Sequence, residues 1–562
     1  MPLYDKINLN LEYIRENIEY SFLAKYLMPW GKSIPQDIFY KFVLPYRVTQ
    51  EPVERFRKKF FEELGEKVHN LSMKEAVLFI SKWSYEKAIY KPTEPWDSGA
   101  LTTIKLGYGR CEEKAILLID ALRSVSIPAR LVFTPAWQHA NGNHAWVEVW
   151  INGKWNVLEI AKPVKILNHP WFEANYSVMP AVYTYVYGKG LKNITKNYNP
   201  SICRLKIKSN NIVFVSIFNS GMLRPVGVIK GKPIDLGYGS YLLSSKNGIK
   251  LIECNKPELN IDNNFTPLKS ENFSFVLKYP LPLKVKRMNI YDTHEIEKID
   301  KNRKKKTFNK NFKKEDNLFK IYIKKMSDKD FIQFRIKDFY KDYKLALKLK
   351  RKFYNNDIFI NYVLNPRIYF ENLELWRNAI FKKFKFKNLS VNEIINKTFN
   401  YVNSLKKVDK KDTGPILGPL ELLKSEKYRN ETEVKMLIVA ILRTFGIPAK
   451  FNISGKFIEI YINSKWQFLK TDFDDYNKLK KLNICWKNFF KNCYRNFNYD
   501  RDFTLAFFKK GYFQSLRFLN GNFNSDSCCW QFIEIPDKNY FLITGKRLNK
   551  NSTEVNLFKI NH

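Results

Sequence analysis

Apolar residues recur at helical spacing through the first part of the chain, as in LEYIRENIEYSFLAKYL (11–27) and EPVERFRKKFFEELGEKV (51–68). That spacing predicts a helical region over residues 1–95. From Trp96 to residue 200 the pattern changes to loop, helix and then strands. Residues 201–292 carry short alternating runs, such as IVFVSIF and GSYLLSS, broken by Gly and Pro, which predict a small β-sandwich. Residues 293–329 are lysine-rich and read as a flexible linker. Helical periodicity returns over 330–400, within a segment that runs to 480, and 481–562 is strand-rich, most clearly from Phe503.

The pattern also repeats. IPQDIFYKFVLPYR (34–47) is echoed by NPRIYFENLELWR (365–377), ALRSVSIPAR (121–130) by ILRTFGIPAK (441–450), and VEVWINGKW (147–155) by IEIYINSKW (458–466). Three matches in the same order predict two copies of one fold.

Composition adds limits. At 562 residues the chain exceeds what one core organises, and 45% hydrophobic with 16% aromatic residues argues against global disorder. No apolar stretch approaches the ~20 residues that span a bilayer. MPLYDKINLNLEYIREN has neither a basic n-region nor an apolar h-region. As written the chain is therefore expected in the cytoplasm, or exported if the true start lies upstream. The net charge of +41 invites a nucleic-acid reading, but the basic residues are spread along the whole chain among Asn, Ile, Phe and Tyr. An AT-rich coding sequence gives that bias without any nucleic-acid partner. Only Lys301 to Lys306 is locally dense, and it lacks the interleaved aromatics of a single-strand binder.

The seven cysteines, at 111, 203, 254, 485, 493, 528 and 529, are odd in number and irregular in spacing, which does not suggest a disulfide framework. Cys528 and Cys529 are adjacent, poor geometry for a simple bridge, and a reducing compartment is the expectation. With no CxxC pair and six histidines, the residues argue against a structural zinc site.

One cysteine stands apart. Gly107-Tyr108-Gly109-Arg110 leads into the helical run CEEKAILL, so Cys111 heads a helix. Free N–H groups and the helix dipole there favour a thiolate and can receive an oxyanion. His144 opens the strand HAWVEVWI, which runs into Asn152-Gly153, a two-residue hairpin signal. A tight turn sets Trp146 opposite Glu159 and His144 opposite Ala161. Glu159 is then a diagonal neighbour of His144 on the same face, ~7–8 Å away, able to fix the imidazole tautomer. Glu148 lies on that face too and is the weaker candidate. His139 reads as a loop residue near the site mouth. Trp96, Trp137 and Trp146 are candidates to wall a substrate cleft, although core packing is the default for tryptophan. His169, His294 and His562 carry no chemistry in this reading.

With GRCEEKAILLIDALRSVSIPARLVFTP, NHAWVEVWINGKWNVLE and a Trp-Phe further on, residues 96–190 resemble a transglutaminase-like domain. The resemblance implies an α+β multi-domain protein with a papain-like core: a Cys on a helix N-terminus, with His and an acid on antiparallel strands. Cys111, His144 and Glu159 occupy the Cys, His and acid positions, with Glu where Asp is commoner. Over nearly the whole chain, VLPYR, FGIPAK and YFLITGKRL resemble large bacterial members, often exported, that add β-sandwich modules and a degenerate second copy. In those relatives the acid lies slightly later, about where Ala161-Lys162-Pro163 stand, and Lys162 cannot serve. The second copy, 330–480, carries Glu431 at the place of Cys111 and Gly455 at the place of His144.

The resulting expectation is a cysteine-dependent acyl-transfer enzyme that hydrolyses peptide or other amide bonds through a Cys111 thioester. It needs no cofactor or metal and takes a protein or peptide substrate. The competing readings are a non-catalytic scaffold with a remnant Cys–His site and a cross-linking transglutaminase.

Overall fold

A helix buried on every face has to be wrapped by other elements. In Cys111–Ser124 every residue from Glu113 to Ser124 is buried. The helices Leu11–Leu27, Arg57–His69 and Met73–Lys87 cover one side of it. A five-stranded antiparallel sheet covers the other, in the order Lys154–Leu158, His144–Ile151, Ala129–Thr134, Tyr183–Val186, Gly190–Asn193. One core, from Met28 to Ile160, runs through helices and sheet alike, so the helical region expected to end at residue 95 shares its core with the Cys111 helix and the sheet. The computed structural model describes residues 1–562 except 269–271, 287, 289, 304–305, 311–315, 387, 409–413, 455 and 561–562. Gly455, His562 and part of the 301–306 basic run lie outside the described residues.

The hairpin follows from its turn. Asn152 (φ 48°) and Gly153 (φ 82°) are both left-handed, the two-residue turn whose twist matches the flanking strands. The ladder runs from Ile151–Lys154 out to Val147–Leu158. One further step along that register brings Trp146 level with Glu159.

Buried arginines tie the lobe together through carbonyl groups. Arg57 donates to the carbonyls of Arg123 (3.0 Å), Val43 (2.9 Å) and Pro45 (2.9 Å) and to Asn17 Oδ1 (2.7 Å). Arg123 donates to the Ala129 (2.9 Å) and Arg47 (3.0 Å) carbonyls. Four of these bonds, and a fifth displaced by one residue at Leu364, recur at one constant offset in a C-terminal lobe built around the helix Glu431–Thr444. There Arg377 donates to the Arg443 (2.9 Å), Val363 and Leu364 carbonyls, and Arg443 to those of Ala449 (2.8 Å) and Arg367 (3.0 Å). Its sheet has three strands, Ala449–Asn452, Phe457–Ile462 and Lys465–Leu469, with a left-handed Asn463-Ser464 turn.

Between the lobes, four-stranded and three-stranded sheets built from residues 202–261 pack around a shared core. The strand Phe273–Lys278 leaves that sandwich and pairs with Ser552–Ile560 at the edge of a C-terminal sheet. Where the sequence reads as a lysine-rich linker, the described residues include the helices Thr293–Asn302 and Asn317–Lys325. The first is docked on the N-terminal lobe, since the Tyr85 hydroxyl donates to Asp300 (3.0 Å) and Arg303 to the Tyr85 carbonyl (2.7 Å).

The cysteine expectation is corrected. Cys485 bridges Cys529, and Cys493 bridges Cys528. The adjacent pair does not bridge itself. Cys529 lies directly across a ladder from Cys485, while Cys528, at φ 55°, turns its side chain towards Cys493. Sheet pairing makes the first bridge and sets Cys528 beside it, and no spacing along the chain encodes either. Cys111, Cys203 and Cys254 are free. No described helix is long and apolar enough to cross a membrane.

Arg57→Met removes the guanidinium that serves the buried Val43 and Pro45 carbonyls and shares the Arg123 carbonyl with the Ser126 N–H. It is expected to destabilise the N-terminal lobe by about 3 kcal/mol or more, read as a lowered urea midpoint by tryptophan fluorescence.

Candidate active site

Gly107, at φ 81°, closes the helix Ala100–Leu106, and the chain then adds Tyr108–Gly109 as a short strand beside Ile89–Tyr90. Arg110 is the cap of the next helix, its N–H donating to Glu113 Oε2 (2.9 Å). Cys111 is therefore the first helical residue, half-buried. The N–H groups of Ala145 and Glu112 bond its sulfur and favour the thiolate, as does Arg110. Burial first, and the Glu112 carboxylate second, outweigh them and raise the thiol above its usual range. The expected helix-end activation is present but does not win.

The bond from Ala145 places the sulfur at the start of the strand that His144 opens. His144 stacks on Trp137 (6.3 Å) and Trp146 (6.0 Å), with Trp171 (5.2 Å) and Phe172 (4.9 Å) closing the box. Burial in this apolar surround pushes the imidazole down to about 4, and its Nε2 has no hydrogen-bond partner. A raised thiol and a lowered imidazole both keep the proton on sulfur, so the resting pair at neutral pH is uncharged.

Glu159 lies just beyond the last strand and is buried. Its Oε1 accepts the N–H groups of Ile160 and Ala161, both at 2.8 Å, and Oε2 has no partner. Burial raises its carboxyl, offset by these backbone bonds, by the Trp171 N–H and by Lys114. The structure thus brings Cys111 and His144 to adjoining backbone and leaves Glu159 bonded to its own turn. Lys114, one turn into the Cys111 helix, is buried, and its amine is held down to about 7 by burial and Arg303. Glu148 is committed elsewhere, to Arg130 (2.5 Å) and the Tyr198 hydroxyl (2.6 Å).

Among the tryptophans, Trp137 faces both His144 and His139 (5.8 Å), while Trp146 is fully buried and donates to Tyr198 (2.8 Å). Trp96 lies instead at the contact between lobes, under the Arg367 guanidinium (4.2 Å). His139 has an unpartnered buried Nδ1, and burial and Arg547 lower its pKa. The loop bearing His139 is gripped from the sandwich by Asn219, which donates to the Trp137 (3.0 Å), Ala140 (2.9 Å) and Gly142 (3.1 Å) carbonyls. Asn219 carries no local sequence signal for this role, since the contact is made only in the folded chain. A cleft of about 470 Å³ is lined by Asp97, Glu112 and Phe133, among others, and neither Cys111 nor His144 lines it. Burial and Glu112 push Asp97 up to about 7, against Arg110 at 2.7 Å. Among the described residues no three His, Cys, Asp or Glu side chains converge as metal ligands.

Residues 61–160 match the transglutaminase-like superfamily, a span that includes Cys111, His144 and Glu159. A solved structure of a candidate cysteine protease from Cytophaga hutchinsonii aligns over 44% of this chain at 18% identity, with a TM-score of 0.20. The chain spans 63% of that protein's length. No protein of curated function matches the chain.

Glu112→Gln removes the carboxylate that opposes the thiolate. Cys111 is expected to titrate lower, with iodoacetamide alkylation at pH 7 faster by roughly threefold, about half a pKa unit.

Proposed function

Because the chain carries a transglutaminase-like domain, we propose that it is a cysteine-dependent acyl-transfer enzyme that hydrolyses peptide or other amide bonds. The observation that carries this reading is the packing of Cys111, at the head of its helix, against the core that holds Ala145 of the strand His144 opens.

Cys111 is the nucleophile and His144 the base. As sulfur attacks the amide carbonyl, the thiol proton passes to the imidazole, and the C–S bond forms as the carbonyl becomes an oxyanion. N–H groups at the start of the helix are the donors nearest that charge. Collapse breaks the C–N bond, and the imidazolium gives its proton to the leaving amine. Water, deprotonated by His144, then cleaves the thioester and restores the thiol. An amine in place of water would give cross-linking. A neutral resting pair suits this sequence, because proton transfer accompanies attack. Glu159 is the acid in this proposal, its free Oε2 being the atom that would meet the imidazole after a side-chain rotation.

The C-terminal lobe is, in the same proposal, a degenerate second copy. The recurrence of the arginine–carbonyl bonds at one offset supports it, and Glu431 heads the helix where Cys111 would stand. The scaffold reading draws on the Glu159 bonds to its own turn, which leave the site without an assembled third member.

The test is mass spectrometry of acid-quenched mixtures of the protein with a peptide library. The enzyme reading expects an acyl group on Cys111 and cleaved peptides, with Cys111→Ala and His144→Ala each losing turnover by about a thousandfold or more. Absence of both adduct and product in the parent favours the scaffold, and amine-coupled products favour cross-linking.

A further inference from the structure

The C-terminal lobe has no thiol of its own at the helix end, yet it reaches into the first. Lys329 lies in the short helix Asp328–Phe331, ahead of the C-terminal lobe, and its side chain is 1% exposed. Its amine pairs with Glu113 (2.7 Å), also 1% exposed, and donates to the Glu94 carbonyl (3.1 Å), Thr93 Oγ1 (3.3 Å) and the Trp96 carbonyl. Glu113 is the residue that caps the Cys111 helix. One oxygen accepts the Arg110 N–H and the Thr93 hydroxyl (3.1 Å), and the other accepts the Ser98 N–H (3.0 Å). The carboxylate thus holds both the loop ahead of the cysteine and the first helical turn.

The other lobe shows why the cation comes from outside. There the matching glutamate, Glu433, pairs with Arg429 of its own loop (2.5 Å) and accepts the Leu417 N–H (3.0 Å). In the first lobe Gly109 stands at the place of Arg429, and the next residue, Arg110, is turned to Asp97 at 2.7 Å and stays 3.7 Å from Glu113. A carboxylate buried so deeply needs a close cation. Lys329 supplies it, and Asp330 beside it is anchored by Arg367 of the C-terminal lobe (3.2 Å). The brace is reciprocal: the helix Leu3–Asn8 reaches the other way, with Asn8 donating to Glu421 (2.8 Å) and Tyr4 accepting from Asn372 (2.6 Å).

We propose that Lys329 is a positioning residue for Cys111, acting through Glu113, and that the C-terminal lobe is retained because it delivers this cation to the cap of the catalytic helix. The proposal rests on the reading of Cys111 as nucleophile, but its readout is the thiol itself and not turnover. Around the pair the charged groups are Arg110, Asp97 and Glu94 on the loop, Glu112 on the helix and Arg367 from the far side.

The experiment measures the pH profile of Cys111 alkylation by iodoacetamide in the full chain for the parent, Lys329→Met, Lys329→Arg, Glu113→Gln and Lys329→Met/Glu113→Gln. Lys329→Met uncovers a buried carboxylate under the first helical turn, and alkylation at pH 7 is expected to slow about tenfold, one pKa unit. Lys329→Arg is expected to recover most of the rate. The double variant, with no charge left to compensate, is expected to return towards the parent profile and decides the matter should Lys329→Met alone not fold. A merely structural lysine gives additive losses instead. Parent-like alkylation in folded Lys329→Met, or a double variant as slow as the sum of its parts, overturns the proposal. An inert Cys111 in the parent itself would instead defeat the catalytic reading.

Discussion

The architecture of the N-terminal lobe depends on one constraint: the helix Cys111–Ser124 is buried along its whole length except at its first residues. A helix enclosed in this way cannot slide or rotate without opening the core, because each turn contacts packed side chains. Its polar residues are committed inside the protein, Arg123 to the Ala129 and Arg47 carbonyls and Glu113 to the loop before the cysteine. The only part of the helix left to meet a ligand is the end that carries the thiol. The sheet, the capping loop and the aromatic box are then arranged around a point that the core has already located.

Electrostatics at that point comes from the same burial. The enclosure that fixes the thiol also raises it, and the aromatic box that orients His144 lowers the imidazole. Both shifts favour neutral partners, and the N–H groups of Ala145 and Glu112 are the counterweight.

Features set by local chain geometry were legible in the sequence. Asn152-Gly153 fixed the hairpin register, and GYGRC leading into a helical run located the thiol at a helix end. Within the paired motifs, Arg123 and Arg443 each donate to the carbonyl of the alanine that closes the motif, Ala129 and Ala449. Features made by tertiary contact were not legible. The bridge of Cys529 depends on which strand lies across the ladder, and that of Cys528 on the left-handed turn just before that strand. The Lys329–Glu113 pair joins residues far apart in the chain, and Asn219 reaches the His139 loop from another module. Glu159 marks the boundary between the two cases: its position in the register was predictable, but its bonds to Ile160 and Ala161 depend on how the chain turns after the strand.

The central claim is that Cys111 and His144 act as one unit, the imidazole taking the thiol proton as sulfur attacks. It is tested most directly by the pH dependence of Cys111 alkylation with iodoacetamide in the parent and in His144→Ala. Below pH 8 the parent is predicted to react at least about tenfold faster, while His144→Ala gains reactivity only as the thiol itself ionises. Superimposed profiles would contradict the claim, for they would make Cys111 a thiol that the neighbouring imidazole does not serve.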